Sequence, residues 1–488
     1  MTVRYRRVLI VAFDALRPDM VTPALMPNLT AFAAKGVRFT HSRATFPTET
    51  RVNQAALVTG CYPDRHGIVG NKFLDPVIAP DKLFATGDET QIAELDRRLS
   101  GKLVDVPVLG EILAAHNLQL AVISAGTPGG TRMLHHKAER LGGFRLALHR
   151  PDASVPQQHV AQVLDRFGAI PEHKIPTLAW LTYATDVYLD YIEPELKPAV
   201  SILWYPEPDN SYHFCGLGTE ANLTALRHVD AEFGRLVTWR DQSGLHDELQ
   251  IITLSDHGQL TVATEAIGIA DALSTAGFTV GDSVSDSADA ALALASAGGI
   301  YVRDSDPRLI QAIVQWLQTQ PWCGPLFTRE GQHGTLQHSQ VGIDHRRAPD
   351  IALALHSDDA VNTHGIVGTC LHDAARYPVG GGLHGGLHRF ELSNWLAMDG
   401  SAFRSGYESS LPAGVVDILP SVLTLLGLPI PTSVQGRVLR EALAEHAETS
   451  APTVTEHTFS TAAVGDYRAH LRVTRVGETP YLEQGWVD

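Results

Sequence analysis

Residues 8–14 have the sequence Val-Leu-Ile-Val-Ala-Phe-Asp, in which six apolar side chains are followed by a carboxylate. Two later apolar runs repeat this pattern, because one leads toward Asp209 and the other leads into Asp256. Apolar runs without polar alternation are typical of strands that are buried on both faces. Ligands of open α/β sheets bind beyond the carboxyl ends of such strands. We therefore expect Asp14, Asp209 and Asp256 to converge at one edge of a sheet.

Segments with helical periodicity alternate with these strands. Pro27 and Gly36 mark the predicted start and end of one short helix, and apolar residues recur at helical spacing between Thr219 and Val237. A further apolar run at 118–124 indicates another strand of the same sheet. This alternation predicts an α/β fold with a doubly wound, mostly parallel central sheet and helices on both faces.

The predicted core is interrupted once. Residues 1–264 and 346–445 carry the alternation of strands and helices, whereas 265–345 departs from it and is partly dominated by small residues. We expect 265–345 to form a smaller inserted cap. Residues 446–488 have the pattern of a β hairpin, which would form a C-terminal β extension and could pack on a neighbouring molecule of a homo-oligomer.

The overall composition excludes several classes of protein. The chain of 488 residues is 44% hydrophobic and 19% charged, which is typical of a globular protein. Its net charge of −16 argues against a nucleic-acid polymer as partner, because such partners need clustered Lys and Arg. A small anionic substrate remains compatible with this charge, since bound metal ions dominate the field within a site.

The sequence favours a cytoplasmic protein without a membrane partner. No run approaches the roughly 18 apolar residues of a membrane span, and the first apolar run is too short for a signal peptide. Four cysteines are scattered without a paired spacing: Cys61, Cys215, Cys323 and Cys370. We expect them to be free thiols in a reducing compartment.

Thr50 stands directly before a predicted helix at 51–58, which closes at Gly60. A hydroxyl at this position feels the positive end of the helix dipole, and the same end stabilises a bound phosphoryl oxygen. Thr50 is therefore a candidate nucleophile. The alternative is that its side chain only caps the helix.

Several Asp and His residues have the context of metal ligands. Asp209 and His213 are four residues apart, Asp256 and His257 are adjacent after a strand, and His384 lies between pairs of glycines. The chain has 23 histidines, so residue type alone does not identify a ligand. Carboxylate and imidazole together suit zinc, and a mixed set with open positions is typical of catalytic sites.

Taken in order, these motifs resemble the type I phosphodiesterase/nucleotide pyrophosphatase family of the alkaline phosphatase superfamily. The similar segments are Val8 to Asp14, Phe46 to Thr50, Leu57 to Asn71, Glu207 to His213, Ser255 to Gly258, and Val415 to Leu428 with Gly436-Arg437. The resemblance implies an alkaline phosphatase-like fold and a hydrolase with two divalent metal ions. It also implies that a phospho-threonine intermediate forms on the nucleophile.

The resemblance assigns a role to each matching residue. One metal ion would be held by Asp14, Thr50, Asp256 and His257, and the other by Asp209, His213 and His384. Asn71 would position a phosphoryl oxygen. Zinc is the preferred metal on ligand type, with manganese as the alternative. His388 follows in the same glycine-rich loop and is the competing candidate for the role of His384.

Two departures from the family pattern concern the substrate. Arg51 follows the nucleophile where nucleotide-cleaving relatives have an aromatic residue, which puts a nucleotide preference in doubt. Its guanidinium could instead bind a second anionic group of the substrate, or face solvent. Tyr212 replaces a frequent glycine and is expected to narrow the pocket. Sulfatases belong to the same superfamily and need a Cys or Ser that is converted to formylglycine. The segment that begins at Thr50 lacks this signature, so a sulfatase is not expected.

The sequence therefore predicts a hydrolase that cleaves a small organic phosphodiester or pyrophosphate, with Thr50 as its nucleophile. A phosphonate or phosphomonoester hydrolase is the first alternative, favoured by Arg51. A phosphomutase of the same superfamily is the second. A metal-binding module without activity is the non-enzyme alternative, and the complete set of expected ligands with a nucleophile argues against it.

Overall fold

The computed structural model describes residues 6–284, 287–446 and 452–488. Its largest element is an eight-stranded sheet, whose strands in spatial order are Tyr407–Ser409, Val37–Phe39, Leu396–Asp399, Leu249–Leu254, Arg7–Phe13, Val200–Tyr205, Leu120–Ser124 and Phe144–Ala147. The last five run parallel to one another, and Leu396–Asp399 joins them antiparallel. The predicted mostly parallel sheet is confirmed.

Helices cover both faces of this sheet. Along Arg7–Phe13, alternate side chains enter two separate cores, with Val8 and Ile10 in one and Leu9 and Val11 in the other. The longer helices are Pro27–Lys35, Thr50–Thr59, Glu89–Arg98, Leu109–Ala115, Pro128–Leu134, Gln157–Phe167, Leu178–Val187, Asp209–Cys215, Glu220–Gln242, Ile269–Thr275, Pro307–Leu317 and Ile418–Leu425. The doubly wound arrangement is confirmed. Across the described ranges, no helix combines the length and apolarity needed to cross a membrane.

A second sheet of six strands lies, in sequence, between the strands Leu249–Leu254 and Leu396–Asp399 of the first sheet. Its spatial order is Val280–Gly281, Ala290–Leu294, Ala297–Val302, Ile351–Leu355, Cys323–Thr328 and Leu336–Gln337. Its strand Ile351–Leu355 pairs with strands on both sides, although it lies beyond residue 345, where the expected cap ends. The division of the chain into domains stays a prediction.

Arg347 anchors the second sheet to the core through a buried ion pair. Its guanidinium donates from Nε to Asp75 Oδ2 at 2.7 Å, and neither side chain is exposed to solvent. Its Nη1 also donates to the carbonyl oxygens of Gly67 and Leu103, at 3.0 and 2.8 Å. Although burial opposes it, this guanidinium lowers the pKa of Asp75. The pair therefore holds a charged carboxylate inside the protein.

We expect Arg347→Met to lower the free energy of unfolding by roughly 3 kcal/mol, because the buried Asp75 carboxylate loses its closest counter-charge and keeps the Val77 and Ile78 N–H groups and the more distant Arg346. The double variant Arg347→Met/Asp75→Leu should recover most of this loss, since it removes both charges. Urea unfolding of the three proteins at neutral pH measures both effects. A double variant less stable than the single one would contradict this account.

The C-terminal extension is a three-stranded sheet that packs on its own chain. Its strands are Val454–Ser460, Ala469–Val476 and Thr479–Val487. Tyr467 accepts a hydrogen bond from the Leu326 N–H at 3.0 Å, and Tyr481 donates to Asp417 Oδ2 at 2.8 Å. Through these contacts the extension packs against the rest of its own chain, which the hairpin pattern alone did not indicate.

The four cysteines, all within the described ranges, are free thiols as predicted. Burial raises the pKa of Cys61 to about 11, and burial also raises the pKa values of Cys323 and Cys370. Since the thiolate is the reactive form, these side chains act as small apolar groups of the core.

Candidate metal centre and nucleophile

The carboxylates and imidazoles proposed as ligands come together in two adjacent groups. One contains Asp14, Asp256 and His257, and the other contains Asp209, His213 and His384. Within each group, the candidate ligand atoms all lie within 4.8 Å of one another. The His257 and His384 rings stack with their centroids 3.8 Å apart and so join the groups. We call them the nucleophile-side cluster and the far cluster.

The ends of two neighbouring strands place the carboxylates of the nucleophile-side cluster. Asp256 Oδ1 accepts a hydrogen bond from the Ala15 N–H at 3.0 Å, and Asp14 Oδ2 accepts one from Trp204 Nε1 at 2.9 Å. The second oxygens, Asp14 Oδ1 and Asp256 Oδ2, are buried and have no hydrogen-bond partner among the described residues. One oxygen of each carboxylate is thus held, and the other is left for a ligand.

His257 presents an unprotonated nitrogen to this cluster. Its Nδ1–H donates to the Gly258 carbonyl oxygen at 2.9 Å, so Nε2 carries the lone pair. Nε2 lies 3.2 Å from Asp256 Oδ2 and 3.2 Å from Thr50 Oγ1. Burial lowers the pKa of His257 to about 3, so the ring is neutral at physiological pH.

The far cluster is built from a helix start and the glycine-rich loop. Asp209 opens its helix, and His213 follows one turn later with Nε2 at 3.1 Å from Asp209 Oδ1. His384 Nε2 lies 3.6 Å from the same oxygen. The Nδ1 atoms of His213 and His384 donate to the carbonyl oxygens of Gly382 and Thr48, at 2.7 and 2.8 Å. Both Nε2 lone pairs therefore face the carboxylate.

This donor set fits one divalent cation in each cluster. Three buried carboxylate oxygens without hydrogen bonds in the described chain face imidazole lone pairs, an arrangement that repels itself unless a positive ion lies between them. Burial, together with the neighbouring carboxylates Asp256 and Asp209, raises the pKa of Asp14 well above its usual range. Burial also raises the pKa of Asp256 to about 7. Zinc sites typically combine carboxylates with imidazoles whose second ring nitrogen donates a hydrogen bond, as the Nδ1 atoms do here.

Thr50 is the first residue of its helix, and its hydroxyl is not used as a cap. The residue in the N-cap position is Glu49, and no side-chain cap bond is made at this helix start within the chain that the structure describes. Thr50 Oγ1 instead contacts His257 Nε2. The helix spans Thr50–Thr59 and ends at Gly60, whose left-handed conformation, at φ +65°, stops it. The predicted helix that closes at Gly60 is confirmed.

Glu49 was not identified from the sequence, and it links the start of the Thr50 helix to Asn71. Its carboxylate accepts a hydrogen bond from the Asn71 N–H, and burial raises the pKa of Glu49 to about 7. Asn71 Oδ1 is buried and without a hydrogen-bond partner in the described ranges. Acidic residues are common near helix N-termini because of the helix dipole, so no local signal marks this contact.

Arg51 carries a charge that is not neutralised by an ion pair with any described residue. It is partly buried, and its buried Nε lacks a hydrogen-bond partner there. Burial raises the pKa of Asp14, and the positive charge of Arg51 opposes this rise. Although burial opposes it, the same charge contributes to lowering the pKa of Asp209. The guanidinium therefore lies within electrostatic range of both clusters.

Two neighbouring side chains lie outside the clusters. Tyr212 was expected to narrow the pocket, but it is fully buried and packs in a small apolar group with Ala15 and Leu217. The structure thus gives Tyr212 a packing role in place of the expected substrate contact. His388 Nε2 lies 3.1 Å from Asp359 Oδ1, and His388 belongs to neither cluster.

The chain is similar in sequence to several known proteins. The sequence profile of the family described as type I phosphodiesterase/nucleotide pyrophosphatase matches residues 8–365. Ectonucleotide pyrophosphatase/phosphodiesterase family member 3 of Rattus norvegicus is 26% identical over 253 residues, which cover 51% of this chain and 24% of that protein. Bis(5'-adenosyl)-triphosphatase enpp4 of Xenopus laevis is 25% identical over 264 residues, covering 54% and 49%. The matched region thus spans about half or less of these relatives.

Solved structures support the fold. Human ectonucleotide pyrophosphatase/phosphodiesterase 5 superposes with a TM-score of 0.62 at 18% identity, covering 90% of this chain and 100% of that one. The murine protein, in an inactive form in complex with AMP, gives 0.60 at 17% identity, covering 87% and 96%. At this identity the likeness shows the fold alone, which is alkaline phosphatase-like as expected.

Proposed function

The chain belongs to the type I phosphodiesterase/nucleotide pyrophosphatase family, and on this premise we propose that it is a two-metal hydrolase of a small organic phosphodiester or pyrophosphate. The observation that carries the proposal is the hydroxyl of Thr50, 3.2 Å from His257 Nε2, at the edge of two buried ligand clusters. A nucleophile and two cation sites are the parts that phosphoryl transfer requires.

We assign the ligands by cluster. Asp14, Asp256 and His257, with Thr50, would hold one ion, and the far cluster would hold the other. Zinc suits these donors, and manganese is the alternative. Two bound divalent ions would stabilise charge on the attacking and leaving oxygens of an in-line displacement. Metal analysis of the purified protein and an anomalous-scattering map would identify the ions.

Residues of this chain supply the nucleophile and orient the substrate. Thr50 Oγ1 loses its proton to solvent and bonds to phosphorus as the bond from phosphorus to the leaving oxygen breaks, so the leaving alcohol or phosphate departs and Thr50 carries the rest of the substrate. The helix start at Thr50 directs backbone N–H groups toward the phosphoryl oxygens. Asn71, held by Glu49 beside the nucleophile, orients one of those oxygens. Water then cleaves the phospho-threonine. Arg51 binds a second negative charge of the substrate, since its guanidinium makes no ion pair to the described residues.

A panel of chromogenic diesters, monoesters and phosphonates tests the proposal, with and without a chelator. We expect the diesters to have the highest kcat/KM and the chelator to abolish turnover. Preference for monoesters or phosphonates would establish the first alternative instead. Formation of a sugar phosphate isomer without free phosphate would identify a phosphomutase. The cytoplasmic location and a homo-oligomer stay predictions from the sequence.

We expect Arg51→Ala to weaken hydrolysis of doubly anionic substrates about tenfold more than hydrolysis of diesters with an uncharged tail, because only the former present a second charge to the guanidinium. The comparison uses kcat/KM for both substrate types in both proteins, so that intrinsic reactivity cancels. Arg51→Lys is the matched control, since it keeps the charge without the bidentate geometry. Equal losses on both substrate types would remove this role from Arg51.

A further inference from the structure

Beside the far cluster, three side chains, Phe214, Arg376 and Tyr377, extend from the buried site to the surface, and we call them the aromatic rim. The Tyr377 ring is buried and stacks on His213 with centroids 4.4 Å apart and an interplanar angle of 20°. Phe214 lies 6.0 Å from Tyr377 and is 46% exposed, so its ring offers an apolar surface to solvent next to the buried site. The rim is thus continuous with a proposed metal ligand.

The backbone holds the rim in place. The Gly382 carbonyl oxygen accepts the hydrogen bond from His213 Nδ1, and a Cβ at Gly381 would collide with the His213 carbonyl oxygen. The loop that carries Tyr377 therefore packs directly on the end of the helix that carries Phe214. Such close approach of two backbones needs glycine. The aromatic rings keep a fixed position relative to the cluster.

The rim lies on the side from which the leaving group departs. Thr50 contacts the nucleophile-side cluster through His257, and an in-line displacement sends the leaving oxygen away from the attacking one. That direction is toward the far cluster, and His213 of this cluster contacts the rim. This direction of departure rests on the proposed function.

We propose that the aromatic rim binds the leaving group, and that the preferred leaving alcohol has a planar, apolar body. Phe214 offers an exposed ring for offset or edge contact with such a group. The Arg376 guanidinium lies 4.5 Å from the Tyr377 ring centroid and donates to the Tyr377 hydroxyl, which fixes the second ring. None of these side chains belongs to the ligand clusters, so the rim acts on specificity.

The test compares methyl and 2-naphthyl esters of the same phosphate in the wild-type protein and in Phe214→Ala. We expect kcat/KM for the naphthyl ester to fall about tenfold in the variant, which corresponds to about 1.4 kcal/mol, and kcat/KM for the methyl ester to change less than about twofold. Phe214→Leu should keep part of the effect, since it retains apolar area. Ile430→Ala removes another exposed apolar side chain, outside the rim, and should change neither ester.

A binding measurement separates the two proposals. Titration with 2-naphthol, followed by its fluorescence, should give a Kd that is about tenfold weaker in Phe214→Ala than in the wild type. Equal losses on both esters, or an unchanged Kd, would overturn the role of the rim while leaving the hydrolase intact. If the wild type cleaves neither these esters nor any other diester or pyrophosphate, the proposed function fails, and the naphthol titration still decides whether the rim binds a planar group.

Discussion

Replacing Thr50 by alanine should lower turnover by roughly four orders of magnitude, because the variant lacks the oxygen that attacks phosphorus. The fold should be retained. Thr50 makes no capping bond in the described chain, and Glu49 occupies the N-cap position, so we expect the free energy of unfolding to change by less than the roughly 1 kcal/mol of a lost cap. Steady-state kinetics, urea unfolding and metal analysis of the same preparation measure the three quantities.

Thr50→Ser is the matched control for this prediction. Serine retains a hydroxyl at the same helix start, so it should recover a large part of the turnover that alanine loses. Mass spectrometry after rapid acid quench of a diester reaction should detect one phosphoryl group that still carries the retained ester group in the wild type, and no adduct in Thr50→Ala. Near-normal turnover of the alanine variant would remove Thr50 from the mechanism, and a loss of stability alone would restore the interpretation of Thr50 as a cap.

The sheet and the positions of its acidic residues could be predicted because they depend on local patterns. An apolar run as short as 8–13 and rich in Val and Ile is typical of a strand inside a covered sheet, and the residue after such a strand lies at its carboxyl end. Asp209 and His213 are four residues apart on one helix, so their side chains share a face, and the structure places them 3.1 Å apart.

Contacts between distant segments could not be predicted in this way. The Thr48 carbonyl oxygen fixes the tautomer of His384 from 336 residues away, and Trp204 holds one oxygen of Asp14 from 190 residues away. Nothing in either local pattern marks these partners. Tyr212 shows the same limit, since the direction of its side chain depends on the packing of its helix against Ala15, whereas the prediction rested on its replacing a frequent glycine of the family.

The two histidines of the glycine-rich loop are distinguished by what their ring nitrogens already bind. His384 donates from Nδ1 to the Thr48 carbonyl oxygen and leaves Nε2 facing Asp209 Oδ1 at 3.6 Å. His388 uses both nitrogens elsewhere, because Nδ1 accepts from the Phe390 N–H at 3.3 Å and Nε2 lies 3.1 Å from Asp359 Oδ1. Of the two, His384 alone therefore has a free lone pair directed at a carboxylate of a candidate site.

We accordingly expect His384→Ala to lose about one equivalent of metal and to lower kcat/KM by roughly three orders of magnitude, because several kcal/mol of charge stabilisation disappear with the far-cluster ion. His388→Ala should retain both equivalents and most of the activity, and should lose only about 1 kcal/mol of stability with its capping bond. Metal analysis after dialysis and kinetics on one diester compare the pair directly. The reverse outcome would transfer the ligand role to His388, and full metal content in both variants would mean that Asp209 and His213 hold the ion without a third protein ligand.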